Sequence, residues 1–488
     1  MEKMISHEKE SLEVTSFSPE ALLSLILHIF KLGVELLINR LKPPIREPKT
    51  AWNRVTFEFQ HKFNRHERYW WERSGYALAV LLQNAGYTYA SQIKILDFFA
   101  RKVVDSLGIT HERGAERWKS FMTDDNNPIE LSWDWHMGIE RPTVRFSIEP
   151  TGLGAGTPDD PRNERAAAGF KQSILQALPD IDMSWFDHFE VFFRDETEPD
   201  PAEGQSSRVF WAFDLGEKDI TSKAYFFPGY RARATNRSNL QVIAEAVASA
   251  PSCTPKRLSA FNIFAEFVNE HERAGQPPLE LDMLAIDMVD CSSSRLKIYF
   301  RSRRTDFRSA CETMSLGGRI AGLDMDEGLA QLRYLWDSLF DQGGEPLDTP
   351  LGPTSHRTAG ILYNVEFRLD DKLPKAKIYI PVRHYARTDA QVIRSVSKFM
   401  NYQEMRHGET AGEDIRGCRR EQASSARPSS SSPTSAYANA FNTIFTNNAI
   451  STSRGLHTYI ACSVQTGGML RVVSYINVQE GKLKHIPL

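Results

Sequence analysis

Three strand-like runs in this chain each carry a lysine and a tyrosine two residues apart: Lys223 and Tyr225 in SKAYFFP, Lys297 and Tyr299 in SRLKIYF, Lys377 and Tyr379 in KAKIYIP. Side chains alternate across a strand, so residues two apart share a face. Each run therefore turns an ammonium and an aromatic ring to one side and apolar residues to the other. In the second run Arg295 joins that side, and in the third Lys375 does. The lysines lie 74 and 80 residues apart, which points to a repeated unit whose polar faces line one cavity.

Each of these runs has a partner just before it: RVFWAFDL (208–215), LELDMLAIDMVD (279–290) and ILYNVEFRL (361–369). ELSWDW and PTVRFSIEP form an earlier pair, and GLHTYIACSV and MLRVVSYINV close the chain as a last hairpin. In the last run Arg471 and Tyr475 share a face. Helical periodicity fills the gaps, from Trp52 to Gly108, at roughly 164–177, 239–250 and 261–273, and in LDMDEGLAQLRYLWDSLF and AQVIRSVSKFMNYQ. Antiparallel hairpins separated by helices argue for a closed sheet with helices outside. A parallel α/β barrel needs single strands alternating with helices, a pattern this chain lacks.

Of the 488 residues, 41% are hydrophobic, enough for a substantial core, and the net charge of -3 offers no basic surface for nucleic acid. Five scattered cysteines without a C-x-x-C point to a reducing, cytoplasmic setting and away from zinc ribbons or disulfide scaffolds. Residues 1–48 read as an N-terminal extension. Within it Ala21 to Leu41 carries a polar stripe of Ser24, His28, Lys31, Glu35 and Asn39, the mark of an amphipathic helix on a protein or membrane surface. Residues 49–488 read as one barrel, interrupted at 408–436 by a polar, low-complexity insertion around SSARPSSSSPTS.

Cations beside aromatic faces suit a polyanionic leaving group next to a developing carbocation. Glu130, opening the strand in PIELSW, is either a solvent-facing strand end or an acceptor for a polar ligand. Arg145, inside VRFSIEP, is either a carboxylate's partner or an anion ligand. TGLGAGT (151–157) lacks the G-K-[ST] ending of a phosphate loop and reads as a plain loop. The Asp pairs at 124–125, 159–160 and 370–371 make no D-D-x-x-D clamp for Mg²⁺-diphosphate. The histidines at 61 and 66, and at 384 and 407, have no regular ligand spacing.

YWWERSGYALAVLLQNAGY with QIKILDFF; FMTDDNNPIELSW then VRFSIEP; KAYFFP; SRLKIYFR then MSLGGR; KAKIYIPVRHY with Asp389; and GLHTYIACS with SYI run in order from Trp52 to Tyr475. In these stretches the chain resembles the fungal aromatic prenyltransferases of the dimethylallyltryptophan synthase type. The resemblance implies an α+β fold of ten antiparallel strands in a closed barrel surrounded by helices, the ααββ repeat called ABBA. It implies dimethylallyl transfer from dimethylallyl diphosphate to an aromatic ring, with neither Mg²⁺ nor Ca²⁺ strictly required. By the same resemblance Glu130 contacts an indole N–H; Arg145, Lys223, Arg295, Lys297 and Lys377 bind diphosphate; Tyr225, Tyr299, Tyr379, Tyr459 and Tyr475 shield the cation. Met122, Phe210 and Asp282 fall in the acceptor pocket. A homodimer and a peripheral membrane contact through 21–41 stay open as partners.

Three positions depart from the family pattern. Phe210 stands where tryptophan-using members carry a Lys, Asp282 where they carry a carboxylate-binding Arg, and Arg471 where many have a further shield tyrosine. The first two point away from free tryptophan and toward a preassembled neutral indole, such as an indole diterpenoid or a tryptophan-containing cyclic dipeptide. A phenolic or polyketide acceptor and a non-catalytic isoprenoid-binding barrel are the alternatives.

Overall fold

The computed structural model describes residues 50–110, 117–139, 141–194, 208–414, 433–479 and 481–484. The expected segment 21–41 lies outside the described residues. The barrel unit begins at Thr50. Among the described residues no helix is long and apolar enough to cross a membrane.

Ten strands form the barrel: β1 (Ile129–Trp135), β2 (Thr143–Ile148), β3 (Val209–Leu215), β4 (Ile220–Phe226), β5 (Glu280–Asp287), β6 (Leu296–Ser302), β7 (Ile361–Phe367), β8 (Lys375–Ile380), β9 (His457–Val464) and β10 (Leu470–Ile476). Each pairs antiparallel with its neighbours in sequence, and β10 returns to β1 to close the ring, with Leu131 opposite Ile476. Closure leaves no unpaired edge strand.

The two faces of the sheet have opposite chemistry, and strand alternation produces the division. In β6, Leu296, Ile298 and Phe300 face the helices and join the main apolar core, whereas Tyr299 belongs to a second cluster inside the barrel. On β3 the outward Trp211 meets Phe170 and Phe186 at ring distances of 5.7 and 5.0 Å, and Phe213 meets Phe98 at 5.6 Å. Because helices cover the outside and inward side chains line the cavity within, both faces of the strands are largely buried.

Several helices were not anticipated. Ser184–Phe193 buries Trp185, Phe186, Phe189 and Phe193, and Phe307–Met314 buries Phe307, Ala310 and Met314. Helices border the insertion expected at 408–436 on both sides. Helix Asp389–Asp414 runs into its start, and helix Pro433–Ile444 takes its end. The second of these buries Ala436, Tyr437, Ala440, Phe441 and Ile444. That helical spacing overrides the local polarity, and residues 415–432 lie outside the described set.

Helix Leu323–Phe340 approaches the end of β9 so closely that a Cβ on Gly328 would lie 2.5 and 2.7 Å from the two γ carbons of Val464. Gly328→Ala should therefore destabilise the protein by about 1–3 kcal/mol, the usual cost of overpacking. Val464→Ala added to it should recover most of the loss, as read by denaturant midpoints. Additive effects of the two changes would show that this contact does not limit stability.

Candidate active site

A cavity of about 790 Å³ fills the barrel and receives side chains from all ten strands. Every site residue expected from sequence lines it: Glu130, Arg145, Lys223, Arg295, Lys297 and Lys377, the five tyrosines, and Met122, Phe210 and Asp282. Lys375 does not; it is exposed at the start of its strand.

One level of the cavity is a belt of charge. Strand register sets it, with Arg145 opposite Asp214, Lys223 opposite Asp287, Lys297 opposite Glu366, and Lys377 opposite Ser463, which in turn faces Arg471. Lys223 Nζ lies 2.5 Å from Asp214 Oδ1, and Lys297 Nζ 2.5 Å from Asp287 Oδ1. Arg295 pairs with Asp287 at 2.6 Å and with Glu366 at 3.3 Å. Arg145 pairs with Asp134, and its Nε lies 2.8 Å from Asp214 Oδ1. Arg471 grips Asp134 through two nitrogens, Nε donating at 2.8 Å. Lys377 makes no ion pair with any described carboxylate and lies 5.0 Å from the centre of the Tyr379 ring. Arg145 is thus a partner of carboxylates, the first of its two sequence readings, and it lines the cavity.

Burial governs the protonation of this belt. It would raise the Asp134 carboxyl, but Arg145 and Arg471 outweigh it and hold the group at about 2. Burial pulls Lys223 down to about 8 against the attraction of Asp214. It pulls Lys377 down to about 7 against Asp134, with Arg471 and Arg145 lowering it further. A buried ammonium without a carboxylate close by releases its proton more readily.

Two residues along β4, β6 and β8, and four along β9 and β10, the belt gives way to a collar of tyrosines. Ring centroids are 5.7 Å apart for Tyr225 and Tyr299, 5.7 Å for Tyr299 and Tyr379, 5.8 Å for Tyr379 and Tyr475, and 6.3 Å for Tyr379 and Tyr459. Burial pushes the hydroxyls of Tyr225, Tyr299, Tyr379 and Tyr475 up, so these rings stay neutral. Phe210 stacks on Tyr225 at 4.0 Å.

Beyond the collar sits Glu130, whose carboxylate accepts from the Thr458 hydroxyl at 2.5 Å. Burial raises it to about 7, with Thr458 and Arg383 opposing. Asp282 lies at an irregularity of β5 between Leu281 and Met283, and burial raises it to about 6 against Arg301. Arg383 pairs with Asp124 at 2.9 Å and donates to the Tyr459 hydroxyl at 2.9 Å.

Asp124, His356 and His384 come together here although their sequence spacing gives no sign of it. The Thr358 hydroxyl already lies 2.8 Å from nitrogens of both imidazoles. Burial and Arg383 pull His384 down to about 4, and the same positive surroundings oppose a metal dication.

Sequence reasoning missed the carboxylates Asp134, Asp214, Asp287 and Glu366, and the cations Arg301 and Arg383. The strand carboxylates were within reach of the alternation rule: Asp134 is four residues from Glu130, and Glu366 two from Asn364, on inward faces.

A profile described as tryptophan dimethylallyltransferase matches residues 66–413. The chain belongs to the tryptophan dimethylallyltransferase family. It is thus a prenyltransferase. Among relatives, 4-O-dimethylallyl-L-tyrosine synthase of Claviceps purpurea is 35% identical over 359 residues, covering 72% of this chain and 79% of that one. A 7-dimethylallyltryptophan synthase of Aspergillus fumigatus is 31% identical over 351 residues, covering 68% and 73%. Among solved structures, AnaPT from Neosartorya fischeri superposes with a TM-score of 0.71 at 20% identity, covering 90% of this chain and 100% of that one. NotF in complex with brevianamide F and DMSPP does so at 0.71 and 22%, covering 89% and 100%. The barrel is the ABBA fold of these prenyltransferases.

Within this family member, Asp134 holds two guanidinium groups with its side chain only 2% exposed. Asp134→Asn should cost about 3–5 kcal/mol at neutral pH, because it breaks a buried ion-pair network, taking the counter-charge from Arg471 and leaving Arg145 with Asp214 alone. A carboxyl depressed to about 2 contributes stability above its unfolded value of about 3.9 and loses it as pH falls through the folded one. The gap between wild type and variant in denaturant titrations should therefore narrow from pH 4 downward. A constant gap would assign the loss to something other than charge.

Proposed function

We propose that the protein transfers a dimethylallyl group from dimethylallyl diphosphate to an indole-containing acceptor, without a metal cofactor. The observation that carries this reading is the order of three layers in one cavity: cation belt, tyrosine collar, Glu130.

In the proposed reaction the allylic C–O bond ionises and its electron pair leaves with pyrophosphate. Arg145, Lys223, Arg295, Lys297 and Lys377 stabilise that charge in a low-dielectric site. The allyl cation forms against the tyrosine collar, whose ring faces stabilise it and keep water from quenching it. A ring carbon of the acceptor attacks the cation, forming the new C–C bond, and the ring C–H bond then breaks, its proton passing to the departed pyrophosphate and its electron pair restoring aromaticity. Glu130 accepts the indole N–H, orienting the ring and feeding electron density into it. Phe210, stacked on Tyr225, and the carboxyl of Asp282 favour a preassembled neutral indole over a free amino acid, whose carboxylate Asp282 would repel.

A second reading has one observation in its favour, the identity to a relative named for tyrosine O-prenylation. There the acceptor is a phenol, Glu130 takes the O–H proton, and oxygen attacks the cation.

Glu130→Gln should lower turnover by about a hundredfold, the scale of one positioned acid–base group. In the wild type kcat/KM should be bell-shaped in pH. It rises as Glu130 ionises through about 7, then falls as the unliganded lysines, held at about 7 and about 8, lose their protons. The variant should lose the acid-side rise, and retention of that rise would remove Glu130 from the mechanism.

Mass-spectrometric assays with dimethylallyl diphosphate test the whole reading. Transfer should persist in excess EDTA. At least one neutral polycyclic indole should exceed L-tryptophan in kcat/KM by about tenfold, or ~1.4 kcal/mol. Equal or better use of tryptophan overturns the neutral-acceptor assignment, and preferred use of L-tyrosine selects the phenol reading. Activity lost in EDTA and restored by Mg²⁺ overturns metal independence.

A further inference from the structure

Six cations share the charge belt, Arg145, Lys223, Arg295, Lys297, Lys377 and Arg471, against four carboxylates, Asp134, Asp214, Asp287 and Glu366. The cations fall into two groups around the ring of strands. Lys223, Arg295 and Lys297 belong to β4–β6 and are held by Asp214, Asp287 and Glu366. Lys377 on β8 and Arg471 on β10 lie across the barrel, in one register row with only Ser463 of β9 between them. Arg145 on β2 touches the carboxylates of both groups, Asp134 and Asp214.

The second group is short of negative charge. Lys377 has no described carboxylate at ion-pair distance, and Asp134 is shared between Arg145 and Arg471. Arg471 spends Nε and Nη2 on Asp134. A guanidinium carries five N–H donors, so Nη1 keeps its hydrogens for another acceptor. The side chain is 28% exposed and lines the cavity. Two adjacent cations, one without a counter-ion and one with spare donors, suit an incoming polyanion.

We propose that Arg471 is a further ligand of the diphosphate leaving group, forming with Lys377 a second anion subsite across the barrel from Lys223, Arg295 and Lys297. This rests on the donor reading given above and adds a residue to it. The two phosphate groups are gripped from opposite sides, with Arg145 between them. As the anion arrives it also restores the charge on Lys377, because it supplies the negative partner that Asp134 alone does not.

Calorimetric titration of inorganic pyrophosphate into the full-length enzyme, in EDTA and without acceptor, tests this. Arg471→Gln should weaken binding at pH 7 by about tenfold, the scale of one lost charge-assisted contact. Arg471→Lys should recover part of it. The pH profile adds a readout that a merely structural role would not move. Arg471 is one of the charges that depress Lys377, so in Arg471→Gln the alkaline decline in pyrophosphate affinity should shift to higher pH. Arg471→Tyr should lose affinity as Arg471→Gln does. If it instead keeps full affinity and only reduces release of prenyl alcohol, Arg471 is a shield position and the proposal fails. Unchanged affinity and pH profile in folded Arg471→Gln also overturn it. Should the single variant not fold, Asp134→Asn with Arg471→Gln removes both charges together, and the same affinity loss relative to Asp134→Asn alone is expected. A wild-type enzyme that binds no pyrophosphate would overturn the donor reading itself, an outcome distinct from an Arg471 effect of zero.

Discussion

Cations enclosed by a closed barrel have lost most of their water, and the pairing of Arg145, Lys223, Arg295, Lys297 and Arg471 with inward carboxylates makes that tolerable. Without Asp134, Asp214, Asp287 and Glu366 the belt would repel itself, and its lysines would shed protons. With them, the cations stand fixed before any substrate arrives. Preorganised charge of this kind needs little rearrangement when negative charge develops on a leaving group. The carboxylates also keep the empty site from being so positive that it would hold any passing anion.

The collar works because the strands place it one alternation step from the belt. A lysine and a tyrosine two apart on one strand cannot drift relative to each other, and three strands repeat the arrangement around the ring. In the proposed reaction the distance between leaving group and shielded carbon is thus set by backbone geometry rather than by flexible loops. The apolar outward faces, packed on Trp211, Phe213 and their helix partners, hold that geometry in place.

Much of this was legible in the sequence because alternation along a strand survives without any knowledge of pairing. Lys223, Lys297 and Lys377, with their tyrosines, declared their shared face, and hairpin-helix order declared the closed sheet. What stayed hidden depends on contacts between distant segments. Asp134 and Arg471 are 337 residues apart in the chain, and neither marks the other as its partner. His356 meets Asp124 from a loop and His384 from the four-residue helix Val382–Tyr385, segments too short or irregular to show a period. The helix Pro433–Ile444 was obscured because the serine-rich run just before it in the sequence outweighs its buried Tyr437 and Phe441 in a local reading.

The seam between β1 and β10 joins residues such as Leu131 and Ile476, near opposite ends of the folded unit. A ribosome must therefore deliver nearly the whole chain before the ring can shut. Until then β1 presents an open edge, and the polar interior stands in water. Such long-range closure is slow by its topology and exposes intermediates to association with one another. Arg471 and Tyr475 arrive on the last strand, so a nascent chain cannot complete the belt or the collar before the ring itself can close.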